Sequence, residues 1–528
     1  MSHCRRPWGF VALGILGLSA APLHAELIRV PDDAPTCSEA VSRAADGDVI
    51  LVAPGEHVSP EPIDFQGKKL TLRSEGGPES TTLRMADAPA DPLRASVIIL
   101  ESGERDVLIE GLTIRGGRGT QWGDGHSDAG GGGILIRNGA AAAVKDCIII
   151  GNKGENGGGI QVAEGGTLEL DRCGVSGNWS TGLGGGILFS GSSAATTVSR
   201  SSFAGNSAAS GGALFFLGAS GTVSSCEVMG NYADSVAGGM CCLFGSSPRI
   251  ERTVFLGNTA FGGGAISCES ADDNPVLVSC LIAGNFAIVA GACQFRDGSV
   301  AELIHCTVTR NGAQENLGGL SCREGATPRI RSSIVEGNFP ESLCGELSST
   351  LTGAPAQFVR LGDYDFERTI TVEMDGFPRL LPNFIRDPGD YELKPGSPAI
   401  EAADPLDGNP PDVTGKNRPC GALPDQGAYE RCTPSTPGFV RGDANADSNY
   451  DIGDPVFTLS YLFLGDAAPP CASAADTDAS ETLEITDAVR SLNYLFNGAA
   501  APPAPFPECG EEPGAGTLGC EEFPPCGS

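Results

Sequence analysis

The stretch "VSRSSFAGNSAASGGALFF" (198–216) shows a pattern that the middle of the chain repeats eight times. Its most regular member is Asn206, which recurs at steps of 25 to 28 residues. The eight ladder positions are Asn152, Asn178, Asn206, Asn231, Asn258, Asn285, Asn311 and Asn338. A fixed step of this length indicates a solenoid in which each unit stacks on the one before it.

Three positions counted back from each Asn have a constant character. The residue eight positions earlier is always apolar: Val144, Leu170, Val198, Val223, Ile250, Leu277, Leu303 and Ile330. The residue three positions earlier is also apolar: Ile149, Val175, Phe203, Val228, Phe255, Ile282, Val308 and Val335. The residue five positions earlier is small: Cys147, Cys173, Ser201, Cys226, Thr253, Cys280, Cys306 and Ser333. This alternation is typical of strands with one buried face.

A Gly-rich turn precedes a second short strand in most units. Examples are "GGGGILI" (130–136), "GGGIQV" (157–162), "GGGILF" (184–189), "GGALFF" (211–216) and "GGGAIS" (262–267). Gly allows the positive φ of a sharp turn, and Asn at a fixed corner can hydrogen-bond from coil to coil. These units predict an all-β parallel β-helix solenoid, because a sandwich of hairpins would not need eight matched registers. The segment 38–48, with Ala and Val at helical spacing, is predicted to cap its first coil.

Several segments then carry a family resemblance. "DVILVAPGEH" (48–57), "IDFQGKKLTLRS" (63–74) and "VLIEGLTIRGG" (107–117) resemble early coils of secreted right-handed parallel β-helix proteins of the pectate-lyase-like superfamily. "FAGN" with "GGAL" resembles polymorphic outer-membrane protein repeats, and "DYELKPGSPAIEAAD" (390–404) with "DQGAYE" (425–430) resembles the closing segment of secreted bacterial β-helix proteins. The resemblance implies a right-handed β-helix over 26–432.

The N-terminus and the composition indicate where the protein is located and which classes of partner it excludes. Residues 1–25 read as a secretory signal peptide, with Arg5 and Arg6 before an apolar run too short to cross a bilayer. No later stretch predicts a membrane span, so the chain is expected to be secreted or associated with a cell surface. The formal charge of −32 argues against nucleic acid and, without a bridging cation, against anionic polysaccharides. Export makes disulfides permissible for the 18 of 19 Cys that remain once Cys4 is removed with the signal peptide.

The window "DANADSNYDIGD" (443–454) collects oxygen-bearing side chains at the spacing of a calcium loop. Ca²⁺ takes six to eight oxygen ligands, which alternate positions of a flexible loop can supply. A second copy, "DTDASETLEITD" (476–487), follows at an offset of 33 residues, and each loop precedes an amphipathic helix ended by Gly. The predicted Ca²⁺ ligands are Asp443, Asn445, Asp447, Asn449 (through its backbone), Asp451 and Asp454, then Asp476, Asp478, Ser480, Glu484 and Asp487.

This duplicated arrangement over 442–500 resembles the type I dockerin module, whose fold is a pair of EF-hand-like calcium-loop-plus-helix motifs. The resemblance implies attachment to a cohesin-like protein partner. The sixth loop position, usually Gly, is Ser448 in one copy and Glu481 in the other, and Ser480 brings one carboxylate fewer at the fifth position. We therefore expect the first site to be tighter. Residues 433–441 are a predicted linker, and the Pro- and Cys-rich tail 501–528 suggests some pairing among Cys471, Cys509, Cys520 and Cys526.

The sequence offers only weak candidates for catalysis. "RGTQWGDGHSDAGGG" (118–132) brings together Trp122, Asp124, His126 and Asp128. Trp122 could stack on a sugar, and the Asp/His/Asp set could hold a metal or move protons, although an exposed polar turn explains the same residues. His305 is expected at the surface, because it lies at an outward position of its strand.

The sequence thus predicts a secreted, calcium-binding β-helix that engages extracellular polysaccharide or a cell-surface glycan. Its dockerin-like module is expected to attach it to a partner. The first alternative is a polysaccharide-degrading enzyme, either a glycoside hydrolase or a polysaccharide lyase. The second is a passive adhesin or surface-layer component.

Overall fold

A computed structural model describes residues 25–122, 130–191, 195–315, 317–352, 355–374, 377–432, 439–510, 518, 520 and 523–526. Nearly all of the predicted signal peptide and residues 433–438 of the predicted linker lie outside these ranges. The chain divides into two compact units, the first ending at Glu430 and the second beginning at Arg431. Within the described residues, no helix combines the length and apolar character needed to cross a bilayer.

Four parallel sheets form the walls of a solenoid in the first unit, and each coil contributes one strand to each wall that it reaches. Sheet 1 has thirteen strands: Leu27–Val30, Val49–Val52, Thr71–Ser74, Val107–Glu110, Ala141–Lys145, Thr167–Asp171, Thr197–Ser199, Thr222–Ser224, Arg249–Glu251, Val276–Val278, Glu302–Ile304, Arg329–Arg331 and Glu346–Ser348. Sheet 2 has eleven: Gly55–Ser59, Thr81–Met85, Thr113–Arg115, Ile148–Ile150, Gly174–Ser176, Ser202–Ala204, Glu227–Met229, Val254–Leu256, Leu281–Ala283, Thr307–Thr309 and Ile334–Glu336.

The other two walls are shorter and follow sheet 2 along each coil. Sheet 3 has ten strands: Ile63–Asp64, Ile98–Leu100, Ile134–Ile136, Ile160–Ala163, Ile187–Ser190, Leu214–Leu217, Met240–Leu243, Ile266–Cys268, Cys293–Phe295 and Leu320–Cys322. Sheet 4 has seven: Lys153–Gly154, Trp179–Ser180, Ser207–Ser210, Tyr232–Val236, Thr259–Ala260, Phe286–Ala287 and Gly312–Ala313. The predicted parallel β-helix solenoid is therefore confirmed.

The apolar positions predicted from the repeat form the core. Val144 pairs in register with Leu170, Leu170 with Val198, and Val198 with Val223. All sixteen predicted apolar positions are buried, and so are the eight small positions between them. Because the register never slips by one residue between these strands, every coil presents the same face inward.

The eight Asn residues form a ladder inside the corner that follows sheet 2. Each Asn from 152 to 311 donates both its backbone N–H and its Nδ2 to the Oδ1 of the Asn one coil later. For Asn231, these donors lie 3.1 and 2.9 Å from Oδ1 of Asn258. The same Nδ2 also donates to the backbone oxygen of Phe203, at 2.9 Å. The ladder satisfies polar groups that the corner would otherwise bury without partners.

The cysteines of the small-residue column are thiols. Cys147, Cys173, Cys226, Cys280 and Cys306 are buried and free. Burial raises the pKa of the Cys226 thiol to about 12, so this side chain acts as a small apolar residue and not as a nucleophile. Among the described residues of the coils, the disulfide that the structure shows joins Cys322 to Cys344.

Segments before and after the coils pack against the solenoid. Helix α1 (Cys37–Arg43) begins after Thr36, whose Oγ1 accepts from the N–H of Glu39, and it packs against the first strands. After the last coil, Phe358–Arg360 pairs with Asp390–Leu393 and these strands pack on the outer face of sheet 2, while a hairpin joins Asp363–Met374 to Phe377–Asp387. A 3₁₀ turn, Pro405–Asp407, follows.

The closing segment is held by a buried ion pair. The Arg418 guanidinium lies 3.2 Å from the Glu430 carboxylate, and both side chains are fully buried. Arg418 also donates to the backbone oxygens of Asp425 and Gly427 at 2.8 Å. Because removal of one partner leaves a buried charge unpaired, this pair locks the segment in one arrangement.

The expectation that His305 lies at the surface is wrong. The closing segment packs over His305 and buries it completely. Its Nδ1 lies 3.2 Å from the backbone oxygen of Asp425, and its Nε2 lies 3.3 Å from that of Gly408. Burial, followed by the charge of Arg418, lowers the pKa of His305 to about 4. His305 lies in the turn between strands Glu302–Ile304 and Thr307–Thr309, with a φ of 51°, and the later segment covers this turn.

The described residues of the second unit form three helices and a 3₁₀ turn. These are α2 (Gly453–Leu464), α3 (Ala472–Ala475), α4 (Ile485–Asn497) and Pro524–Cys526. Disulfides join Cys471 to Cys520 and Cys509 to Cys526, in line with the pairing suggested for the tail. Phe439 and Gly510 exchange backbone hydrogen bonds, so the first and last parts of the described unit are tied together.

We expect Asn231→Ala to lower the free energy of unfolding by about 3 kcal/mol or more, since it leaves several buried polar groups without partners. These include the amide of Asn206, which donates to Asn231 Oδ1. Denaturant unfolding followed by circular dichroism measures the change. Asn274→Ala is the matched control, because Asn274 is exposed and should shift stability by no more than about 0.5 kcal/mol. Equal effects of the two substitutions would contradict a structural role for the ladder.

We expect the buried His305 to make the solenoid lose stability in acid. The unfolded chain binds a proton near pH 6.5 but the folded one only near pH 4, so stability is full above 6.5 and falls as the pH drops toward 4. The expected loss is about 3 kcal/mol. His305→Gln should show a smaller decline between pH 7 and pH 4.5 in thermal unfolding. A variant that declines as steeply as the parent would show that other groups control acid stability.

Candidate metal centre

The two predicted loops have equivalent places in the second unit. Residues 443–454 lead into α2 and residues 476–487 lead into α4, and the two helices pack against each other. The Tyr450 ring stacks on that of Tyr494 at 5.7 Å, and Phe506 packs edge-on against both rings at 5.3 and 5.5 Å. The internal repeat in sequence is therefore a repeat in structure.

Backbone amides orient the carboxylates at both ends of the first loop. The Asp443 carboxylate accepts from the N–H of Asp447 at 3.1 Å and from that of Ser448 at 3.0 Å. The Asp454 carboxylate accepts from the N–H of Ala444 at 2.9 Å. Asp443 and Asp454 are almost fully buried. The loop thus folds around two carboxylates that face its interior.

The second loop repeats these bonds with different residues. The Asp476 carboxylate accepts from the N–H of Ser480 at 3.0 Å and from that of Glu481 at 2.9 Å. The Asp487 carboxylate accepts from the N–H of Glu484 at 2.9 Å and from that of Asp478 at 3.3 Å. Asp476 and Asp487 are also buried. Loops with different sequences therefore hold their first and twelfth residues in the same way.

Three carboxylates of the second loop come close together. Ligand oxygens of Asp476, Asp478 and Asp487 all lie within 4.8 Å of one another. In the described part of the chain, this is the only group of three or more His, Cys, Asp or Glu side chains that meets this distance. Oxygen atoms at such separations suit a hard cation such as Ca²⁺.

The carboxylates that close the loops are electrostatically stressed. Burial raises the pKa of Asp454 to about 7, and backbone hydrogen bonds only partly offset it. Burial likewise raises the pKa of Asp487 to about 7, with the nearby Asp478 and Asp476 adding like charge. A divalent cation would relieve both effects, because it supplies the opposite charge where the carboxylates converge. The residues present therefore fit a calcium ion.

Two loop positions depart from the usual pattern without disrupting the turn. Ser448 and Glu481, at the sixth position, adopt φ of 73° and 64°, a left-handed conformation that favours Gly. At the ninth position, Asp451 accepts from the N–H of Gly453 at 2.7 Å, and Glu484 accepts from Thr486 Oγ1 at 2.8 Å. Both ninth side chains accept hydrogen bonds from residues near the start of the following helix. We therefore expect each of them to contact a bound ion through a water molecule.

The number of carboxylates does not by itself explain why the first site should be tighter. Asp478 stands where the first loop has Asn445, so each loop carries four carboxylates among its predicted ligands. The second loop, however, lies beside the buried Arg441, whose Nη1 is 3.9 Å from Asp476 Oδ2. A cation near this guanidinium meets a repulsion of about 3 to 5 kcal/mol at an effective dielectric constant near 20. The ranking stays a prediction, with Arg441 as its stronger physical basis.

Of the four residues proposed for catalysis or sugar stacking, the structure describes Trp122. Asp124, His126 and Asp128 lie outside the described residues. Trp122 is partly exposed, and the guanidinium of Arg137 lies 5.3 Å from the centre of its ring. The cation–π contact orients the ring. It also brings Trp122 to a charged network that the sequence did not single out.

That network links two carboxylates through arginines. Arg94 contacts Asp64 at 2.8 Å and Glu101 at 2.6 Å, and Arg137 contacts Glu101 at 3.0 Å. Asp64 and Arg94 also line a cavity of about 470 Å³ beside α1. Burial alone would raise the pKa of Glu101, but hydrogen bonds and charge from Arg94 and Arg137 outweigh it and hold the pKa below its usual range. An anion clamped in this way is a poor proton donor.

A comparison with known protein families agrees with the architecture. The family described as "Right handed beta helix region" matches residues 94–255, 132–299 and 184–335, which include the ladder positions from Asn152 to Asn311. Among solved structures, the crystal structure of pectate lyase Pel9A aligns with 12% identity and a TM-score of 0.39, covering 78% of this chain and 98% of that one. No curated protein matches the sequence. The family match supports a right-handed β-helix over the central coils.

Proposed function

We propose that this protein is exported, binds Ca²⁺ through its two C-terminal loops and engages extracellular polysaccharide through its solenoid. The observation that carries the calcium part is the matched pair of loops. In each, backbone amides hold two buried carboxylates at positions one and twelve, with further oxygen-bearing side chains between them. Without a cation these carboxylates repel one another, so the ion would stabilise the unit as well as occupy it.

We also propose that the second unit docks onto a protein partner, as its dockerin-like sequence implies. Supporting this, α2 and α4 expose apolar side chains at equivalent positions, which is unusual for a small acidic unit. The matched pairs are Ile452, which immediately precedes α2, with Ile485, then Val456 with Val489, and Phe463 with Phe496. Calcium would set the orientation of α2 and α4, because the twelfth residue of each loop lies in the first turn of the helix that follows. A cohesin-like domain is the partner class that the resemblance implies.

The polysaccharide part rests on the continuous outer walls that a solenoid offers to a long polymer. A degrading enzyme, either a hydrolase or a lyase, is the second candidate. The observation that favours it is the cavity beside Asp64, close to the Arg94, Glu101 and Trp122 network. The arginine-clamped Glu101 lacks the raised pKa of a general acid, so we favour binding over cleavage.

We expect calcium titration of the full chain to show two sites. Asp454→Asn should remove the tighter one and Asp487→Asn the weaker one, because each substitution removes the charge that closes a loop while keeping its shape. Isothermal titration calorimetry measures the number of sites and their affinities. Excess chelator should lower the melting temperature of the second unit.

Asp466→Asn serves as the control for the calcium titration, because Asp466 is an exposed acid of the same unit outside both loops. It should leave both affinities unchanged. Weakening by Asp466→Asn equal to that by Asp454→Asn would mean that overall charge, and not a coordinated site, attracts the ion. A reversed order of the two loops would contradict the role given to Arg441.

Incubation with neutral and acidic polysaccharides, with calcium and with chelator, separates binding from cleavage. We expect the protein to be retained on one polymer with no soluble product detected by mass spectrometry. Oligosaccharides with unsaturated ends would instead identify a lyase, and saturated ends a hydrolase. If products appear, Glu101→Gln and Asp64→Asn test whether the network beside Trp122 makes them.

A further inference from the structure

The first coils of the solenoid leave a cavity of about 470 Å³ beside α1. Sheet 4 begins only at Lys153–Gly154, so in these coils other segments connect sheet 2 to sheet 3. The connection is short in the first coil, residues 60–62, and long in the next, residues 86–97. Both connections line the cavity, and Ser38 and Ser42 of α1 lie at its edge. The cavity thus follows from the unequal lengths of two neighbouring connections.

Hydrogen bonds hold the walls of this cavity together. The N–H of Ala90 donates to the backbone oxygen of Pro60 at 2.8 Å, which ties the long connection to the short one. The Ser38 hydroxyl donates to the backbone oxygen of Pro62 at 3.5 Å, which ties α1 to the same wall. Walls that are already in place lose little conformational freedom when a ligand binds. The cavity is therefore built before any ligand arrives.

The Asp64 carboxylate is held in a fixed orientation at the cavity. Its Oδ1 accepts from the N–H of Gln66 at 2.9 Å, and its Oδ2 lies 2.8 Å from Nη2 of Arg94. Arg94 is held in turn by Glu101, at 2.6 Å. Each carboxylate oxygen can accept a second hydrogen bond. Asp64 therefore offers acceptors whose direction the protein sets, and these suit a ligand that donates hydrogen bonds.

The charged residues of the lining exclude several classes of ligand. Glu61, Asp64 and Asp91 supply three carboxylates against the one guanidinium of Arg94, so an anion would be repelled. Glu61 and Asp91 are exposed, and water and salt therefore screen their attraction for a cation. Among the described residues, the group of carboxylates spaced to share a metal ion lies in the second calcium loop. A neutral ligand remains as the best match.

A sugar has the hydrogen-bonding character that this lining requires. Each sugar hydroxyl both donates and accepts, as do the hydroxyl of Ser38 and the side-chain amide of Gln66. Pro62 and Ala90 add a small apolar surface for the C–H groups of a sugar ring. Small-ligand sites have volumes of about 300 to 1,000 Å³, and this cavity has room for roughly two sugar units.

We propose that this cavity is a binding site for a short stretch of neutral glycan, roughly two sugar units long. The proposal rests on the polysaccharide engagement proposed above and gives it a location and a ligand class. Arg94 then has the role of orienting the Asp64 carboxylate that receives sugar hydroxyls. A cavity of fixed volume differs from a long outer wall, because it is filled once the ligand reaches a certain length.

The test measures the affinity of the full chain for neutral β-1,4-linked gluco-, xylo- and manno-oligosaccharides of increasing length by calorimetry. For one series, we expect affinity to rise up to roughly two or three sugar units and then to level off. Glu61→Ala and Gln66→Asn should each weaken binding by about threefold to tenfold, since each removes a hydrogen-bonding group from the cavity. Asn tolerates the φ of 55° that Gln66 adopts, so the turn is preserved.

Glu79→Ala is the matched control, because Glu79 is an exposed acid of the same early coils that does not line the cavity. It should bind like the parent protein, and circular dichroism should show that all variants are folded. Weakening by Glu79→Ala equal to that by Glu61→Ala would mean that overall charge controls binding, and would overturn the proposal.

The remaining outcomes separate the cavity from the proposed function. Unchanged affinity in both Glu61→Ala and Gln66→Asn would overturn the cavity as the site while leaving polysaccharide binding intact. Affinity that keeps rising with ligand length would place the glycan along an outer wall and overturn the cavity in the same way. Preference for a uronic acid oligosaccharide would contradict the charge argument and the proposal with it. Binding to none of the three series and to no polymer would overturn the cavity and the proposed function together.

Discussion

Hydrogen bonding from coil to coil is the constraint on which the solenoid depends. A parallel strand has no partner within its own coil, so its backbone groups are satisfied only by the coils above and below. The Asn ladder extends this requirement to a side chain: Asn231 accepts from Asn206 and donates to Asn258. A unit of the wrong length would break both the backbone pairing and the amide chain, which explains why the repeat tolerates so little variation.

The same constraint organises the outside of the molecule. Because coils stay in register, residues at a fixed offset from the ladder form a straight column, which lies either inside or outside the wall. Inner columns must be apolar or small, since they fill a continuous core. Outer columns are free to vary, because each faces either solvent or a segment that packs on the wall, as Phe377–Asp387 packs against Thr259–Ala260.

The stability of the second unit depends on how its like charges are held together. Residues 442–528 carry fifteen acidic residues and one basic residue outside the linker, too much like charge for a small apolar core to overcome comfortably. Disulfides and backbone pairing tie its ends, while the loop carboxylates stay buried and close together. The cation proposed at each loop would offset this repulsion, and the exposed apolar side chains of α2 and α4 form the surface proposed for a partner.

The sequence by itself determined the solenoid, because a repeat step, an inward period of two and a fixed Asn are all local properties of the chain. It also indicated the two loops, since ligand spacing within twelve residues is local too. Only the tertiary structure decided what depends on distant segments. His305 is buried by residues 408 and 425, Arg441 approaches the second loop from outside it, and Arg94, Glu101 and Arg137 meet beside Trp122. Stacking brings residues more than twenty positions apart into contact, and burial and pKa follow from those contacts.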